Sequence, residues 1–162
     1  MKKSSNILIR EATSKDIPII LNFIRELAEF EKLSHQVEAT EKQLRKTLFG
    51  KNSVAKILIA ETKDSAVGFL LYFYNYSTFL GRPGIYIEDL YVSPKHRKKG
   101  IGKTLMKHCI KIAKELGCKR VEWAALTWNP ARKFYEKLGA KPLNDWVLYR
   151  LTGKKLAELA GV

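Results

Sequence analysis

The order of polar and apolar positions predicts an alternation of strands and helices along the whole chain. Residues 7–11 read as a short strand. Thr13 follows as an N-cap with Asp16 three positions on, and apolar residues then recur at 17, 20, 21, 24, 27 and 28 with helical period. Thr40 and Gln43 have the spacing of a capping box, which predicts a second, short helix through Leu48. Residues 54–61 and 66–76 read as two strands, the second rich in aromatic and aliphatic side chains, as a buried strand would be. Residues 81–84, Gly-Arg-Pro-Gly, predict a turn before a strand at 85–92. Ile101, Leu105, Cys109, Ile112 and Leu116 mark the buried face of a long helix that Gly117 ends. Beyond it the pattern predicts a strand at 119–126, a helix at 130–138 opened by Pro130, a final strand at 146–151 and a closing helix at 154–160. The fold class expected is α/β, a mixed central sheet flanked by helices on both faces, in a single domain over residues 1–162.

Composition narrows the class. With 46% hydrophobic and 28% charged residues the chain is globular rather than disordered. No leader pattern precedes the first strand and no apolar run has the length of a membrane span, so a cytoplasmic protein with no membrane partner is expected. Cys109 and Cys118 are the only cysteines, which fits a reducing compartment, and with His35, His96 and His108 they match no metal spacing. No metal is therefore expected.

The net charge of +14 is unevenly spread: ten Lys or Arg lie between Lys95 and Arg120 against one acid, Glu115. An anionic ligand, an anionic surface or nucleic acid could each answer to that. Lys103, Lys107, Lys111 and Lys114 form a stripe on the polar side of the predicted helix, best read as a solvated face. No zinc-finger, RNP or helix-turn-helix pattern accompanies the charge, so nucleic acid is not the expected partner.

The chemistry gathers where the strand at 85–92 meets the helix after it. Arg97, Lys98, Lys99, Gly100, Ile101, Gly102 and Lys103 form a basic, glycine-bearing turn into the helix. The first N–H groups of a helix have no internal partner and carry partial positive charge, so such a turn can cradle a phosphate. It is neither a P-loop nor a dinucleotide fingerprint. Glu88 and Asp89 sit in the preceding strand among Ile85, Tyr86, Ile87, Leu90, Tyr91 and Val92. Carboxylates in such company need partners or a function. Strand alternation sends the two to opposite faces, unless a bulge brings both toward one side.

Arg97-x-x-Gly100-x-Gly102 after this strand resembles the acyl-CoA pyrophosphate loop of the GNAT N-acetyltransferase superfamily. The segment from Trp128-Asn129-Pro130-Ala131 to Phe134-Tyr135-Glu136-Lys137-Leu138-Gly139 resembles the same superfamily's second motif. Residues 24–34 and 85–92 are similar to the diamine acetyltransferase group, which includes spermidine/spermine and thialysine acetyltransferases. The resemblance runs from about residue 7 to residue 152.

The resemblance implies acetyl-CoA as co-substrate and acetyl transfer to a primary amine of a small molecule by direct attack in a ternary complex. It implies Glu88 as the group that removes the ammonium proton and Tyr135 as the acid that protonates the leaving thiolate. It implies Leu90, Tyr91 and Val92 along the pantetheine arm, the turn from Arg97 to Lys103 around the pyrophosphate, and Asn129 and Ala131 near the cofactor. Phe30, Glu31, Glu88 and Asp89 are implied in the amine pocket, and a homodimer is implied as the assembly. One departure stands out: Asn129 lies one residue closer to Tyr135 than is usual, while Ala131 keeps its spacing.

Where polyamine-acetylating members carry further acids, this chain has Ser34 and His35. Together with the net charge of +14 this disfavours a long polycation. The string from Glu29 to Ser34 is more similar to the thialysine branch, so a small amino acid or diamine is the expected acceptor. Two alternatives stay open: a protein or peptide lysine or N-terminal acetyltransferase on the same scaffold, and a non-catalytic nucleic-acid or anion-binding module.

Overall fold

A computed structural model describes residues 7–161. They fall into two compact units, one ending at Ala124 and one beginning at Ala125.

The first unit holds β1 (Leu8–Glu11), α1 (Ile17–Phe30), α2 (Glu41–Leu48), β2 (Lys56–Glu61), β3 (Ala66–Ser77), β4 (Arg82–Val92), α3 (Ile101–Glu115) and β5 (Val121–Trp123). The sheet order is β1-β2-β3-β4-β5. All neighbours are antiparallel except β4 and β5, which run parallel because α3 crosses over between them. Both faces are covered. Ile57, Ile59, Phe69 and Tyr91 meet Ile17, Ile20, Leu21 and Phe23 of α1 and Leu44 of α2. Leu58, Leu70, Ile85 and Ile87 lie opposite in the strand alternation, on the side where α3 packs against β2, β3 and β4.

Local chemistry sets the ends of these elements. The Thr13–Asp16 box is present, but it closes a single 3-10 turn over Ser14–Asp16 that leads into α1. Arg10 grips the same carboxylate at 2.7 Å and also reaches Glu61, so Asp16 is held down at about 2, chiefly by the Arg10 hydrogen bond. The Thr40–Gln43 capping box starts α2. On α3 the buried residues are Ile101, Leu105, Met106, Cys109 and Ala113. Leu116, expected inside, is exposed: it is the C-cap, past the last buried residue of the helix, Ala113.

Other expectations shift. The turn at 81–84 is tighter than its sequence reads: Gly81 donates to Thr78, and Arg82, Pro83 and Gly84 already belong to β4. The strand expected over 119–126 is formed only at Val121–Trp123, because its partner register with β4 runs from Ile85 to Ile87.

The second unit carries α4 (Arg132–Lys137) and α5 (Gly153–Ala160). Pro130 does not open α4, whose N-cap is Ala131. The expected strand at 146–151 is not formed. Its side chains are β-prone, but a strand exists only through a neighbour, and none pairs with this segment among the described residues. Trp146, Val147, Leu148 and Tyr149 are 77%, 71%, 72% and 90% exposed.

Candidate active site

The centre of the site is a β-bulge. Leu71 of β3 stands opposite Asp89, and the next residue, Tyr72, stands opposite Ile87. Glu88 is therefore the extra residue of β4, with no partner on β3. An unbroken strand would put Ile87 and Asp89 on one face. The bulge separates them. Ile87 is buried on the α3 side, whereas Asp89 joins Leu71 and Tyr91 on the face covered by α1. Glu88 is exposed at the bulge and Asp89 is half-buried.

The end of α1 brings a third carboxylate. Lys32 adopts a left-handed backbone (φ 61°), and Leu33 N–H reaches back to the Ala28 carbonyl, so the helix closes at Glu31. Burial raises the Glu31 carboxyl above its usual range. Asp89 is pushed up to about 7, first by burial and then by the negative charges of Glu88 and Glu31. The sequence-predicted Glu31 and Glu88 thus both bear electrostatically on Asp89. Such a group favours an ammonium ion, and Asp89 has the proton affinity to take a proton near neutral pH.

Phe30 and Arg97 are also joined. The Arg97 guanidinium sits 5.0 Å from the centre of the Phe30 ring and 5.5 Å from that of Tyr91, and its Nε–H donates to the Val92 carbonyl at 2.8 Å. Arg97 is among the residues expected on the cofactor, and its side chain also braces the end of β4 against the end of α1. Tyr91 in turn donates its hydroxyl to Glu26 Oε2 at 2.7 Å. Burial and that carboxylate raise the phenol to about 12. Glu26 was not singled out from sequence, and nothing local marks it: the two residues are 65 positions apart.

The cofactor side follows from the same strand. β5 pairs with β4 only as far as Ile87. Past that point the edge of β4 carrying Glu88, Asp89, Leu90, Tyr91 and Val92 has no strand beside it among the described residues, so an extended amide-bearing chain can add there. Gly68 of β3 makes the close packing possible, since a Cβ there would meet the Tyr91 carbonyl oxygen at 2.5 Å. Lys98 (φ 61°) and Gly100 (φ 83°) then turn the chain left-handedly into α3. Gly100 is the N-cap and offers no side chain, so the N–H groups of Ile101, Gly102 and Lys103 are left for an anion. Lys98, Lys99 and Lys103 are exposed beside them. Gly102 lies against Val92, which a Cβ would meet at an ordinary 3.9 Å.

In the second unit, Asn129 Oδ1 accepts the Ala131 N–H at 2.9 Å, so this side chain shapes the turn into α4. Tyr135 is on α4, its ring 5.3 Å from that of Phe134. Among the described residues no group of three His, Cys, Asp or Glu has the geometry to hold a metal ion, and no helix is long and apolar enough to cross a membrane.

The chain is similar to known proteins over most of its length. The family described as Acetyltransferase (GNAT) matches residues 21–140. A thialysine N-epsilon-acetyltransferase from Mus musculus is 42% identical, covering 94% of this chain and 96% of its own length. An L-ornithine N5-acetyltransferase from Arabidopsis thaliana is 33% identical over 93% of this chain and 86% of its own. Among solved structures, an integron cassette protein from V. cholerae superimposes with a TM-score of 0.81 at 30% identity, covering 96% of this chain and 98% of that one. An aminoglycoside acetyltransferase from a soil metagenome, 22% identical with a TM-score of 0.76 over 91% of this chain and 97% of its own, shares the fold. The open strand edge, the anion-ready helix start and the family match lead to one conclusion: this chain is an acyltransferase belonging to the GNAT acetyltransferase family.

Proposed function

We propose that the protein transfers the acetyl group of acetyl-CoA to a primary amine of a small molecule, a thialysine-like amino acid or a diamine. The observation that carries this reading is the trio Glu31, Glu88 and Asp89 beside the open edge of β4. Three carboxylates there favour a cationic acceptor over a neutral alcohol or thiol. The names of the similar enzymes, which act on thialysine and ornithine, point the same way.

The amine arrives as ammonium and loses one proton to a carboxylate of the Glu88–Asp89 pair. The freed nitrogen attacks the thioester carbon, with the pantetheine arm paired along Leu90, Tyr91 and Val92 and the pyrophosphate on the turn from Arg97 to Lys103. Asn129 and Ala131 complete the cofactor side. The C–S bond breaks as the C–N bond is completed. The departing thiolate takes a proton from Tyr135, and the second nitrogen proton restores that phenol, so the protons balance.

The family match crosses from the first unit into the second, which supports reading residues 1–162 as one domain. The exposed apolar run at 146–151 supports a homodimer, in which a second copy would cover it. The two free thiols support a reducing, cytoplasmic setting.

The test is thiol release from acetyl-CoA with thialysine, lysine, ornithine, putrescine, spermidine and a lysine-bearing peptide. Release with a small amine well above the amine-free rate is expected. Release with the peptide alone would overturn the small-molecule reading.

A further inference from the structure

We propose that Glu26 is a positioning residue of the reaction: by holding the Tyr91 hydroxyl it locks the end of α1, which carries the amine side of the site, to the end of β4, which carries the cofactor side. This rests on the amine-acetyltransferase reading above and concerns a residue that belongs to neither binding side.

Core packing alone does not fix the last turns of α1. Its buried side chains, Ile17, Ile20, Leu21 and Phe23, all lie in the first half of the helix. From Ile24 to Phe30 every residue is half-buried or exposed, and Ile24 and Leu27 pack at the margin of the core. Yet this is the stretch that ends in Phe30 and leads to Glu31. Groups that must meet a reacting partner in one geometry need more than a helix end that can pivot.

A closed circuit of side chains supplies the rest. Tyr91 donates its hydroxyl to Glu26 Oε2 at 2.7 Å, and Asn22 Nδ2 donates to Glu26 Oε1 at 2.9 Å, so both carboxylate oxygens are engaged. Burial and the Glu26 carboxylate raise the proton affinity of the phenol, so Tyr91 remains the donor. The Tyr91 ring is itself fixed: it is buried, stands opposite Phe69 in the ladder and lies 5.7 Å from the Phe23 ring. Arg97 lies over both Tyr91 and Phe30 and holds the Val92 carbonyl. Glu26 and Phe30 are four positions apart on α1 and so share a face. Glu26, Tyr91, Arg97 and Phe30 thus form a ring of contacts that returns to the helix it started from. Its hydrogen bond to a carboxylate is directional, whereas ring contacts tolerate sliding. Because β4 is held by its ladder with β3, the helix end is the part that moves when this link is cut, and the amine side is the side that suffers.

Steady-state thiol release and acetyl-CoA binding test this, with thialysine or whichever amine of the panel above reacts fastest. Glu26→Ala and Tyr91→Phe are each expected to lower kcat/KM for the amine by about 10- to 100-fold, while Kd for acetyl-CoA stays within about twofold of wild type. The double variant is expected to be no worse than either single one, because both remove the same link. Glu26→Gln still offers the phenol an acceptor and should keep at least about a third of wild-type kcat/KM. A residue serving stability alone would lower Tm and leave kcat/KM of the folded protein unchanged. The assignment is overturned by kcat/KM within about threefold of wild type in Glu26→Ala, by losses that multiply in the double variant, by an equal loss of acetyl-CoA affinity, or by Glu26→Gln as impaired as Glu26→Ala. If Glu26→Ala fails to fold, Tyr91→Phe, which removes a single oxygen atom, decides by the same thresholds. Any of these refuting results with an active wild-type enzyme leaves the amine reading intact, whereas wild-type protein inactive with every amine overturns both.

Discussion

Replacing Asp89 by Asn should stabilise the protein, and only above mildly acidic pH. The carboxyl goes from an ordinary 3.8 to about 7 on folding. The folded state therefore binds the proton more tightly than the unfolded one between those values. Stability is full below about pH 4 and is lost as pH rises through 7. A shift of that size corresponds to at most about 4 kcal/mol, and relaxation of the partly wet bulge should leave about 2–4 kcal/mol. Asn has nearly the same shape and no charge, so the variant escapes the loss. Urea unfolding of both proteins at pH 8, 6 and 4 measures the difference directly, because carboxylates remote from Asp89 cancel between them. At pH 8 the variant should be the more stable by that amount, which is roughly 5–15 °C in Tm for a chain of this length. At pH 4 the two should nearly coincide. A difference that is the same at all three pH values would mean that packing and not charge is being read, and a less stable variant at pH 8 would refute the electrostatic account.

Four further outcomes are expected. Tyr135→Phe should lower kcat by about 10²-fold with little change in KM for acetyl-CoA, as read by steady-state thiol release. Arg97→Lys forfeits the planar contact with Phe30 and Tyr91 and the Nε bond to Val92. It should raise KM for the amine by about 3- to 10-fold, measured with acetyl-CoA saturating. Gly68→Ala drives a methyl into the Tyr91 carbonyl, so it should cost about 1–3 kcal/mol in urea unfolding and raise KM for acetyl-CoA. Asp16→Asn has the opposite pH sense to Asp89→Asn. The carboxyl falls from 3.8 to about 2 on folding, so the wild-type advantage of about 2 kcal/mol should hold at pH 7 and fade in melts taken as pH drops through that range.

Features set by near neighbours in the chain were the ones the sequence made plain. The Thr40–Gln43 cap, the amphipathic α1 and the glycine turn into α3 each depend on residues a few positions apart. What depends on a distant partner was hidden. Glu88 and Asp89 look alike until β3 is laid beside them and the register slips by one. The segment at 146–151 has the composition of a strand and lacks the neighbour that would make it one. Val121–Trp123 is short because pairing with β4 ends at Ile87, which the residues of β5 do not announce. Arg97 sits in a loop that reads as phosphate-binding, and only the proximity of Phe30 and Tyr91 reveals where its side chain goes.

The bare apolar run in the second unit has a consequence for handling the protein. Trp146, Val147, Leu148 and Tyr149 are four consecutive uncharged, β-prone residues open to solvent, the composition from which intermolecular cross-β stacking starts. Asp145 and Arg150 bracket them with opposite charges, in the place where gatekeeper residues check such stacking. Neutralising either by substitution removes one guard. Solubility during expression and storage is then expected to depend on these two flanking side chains.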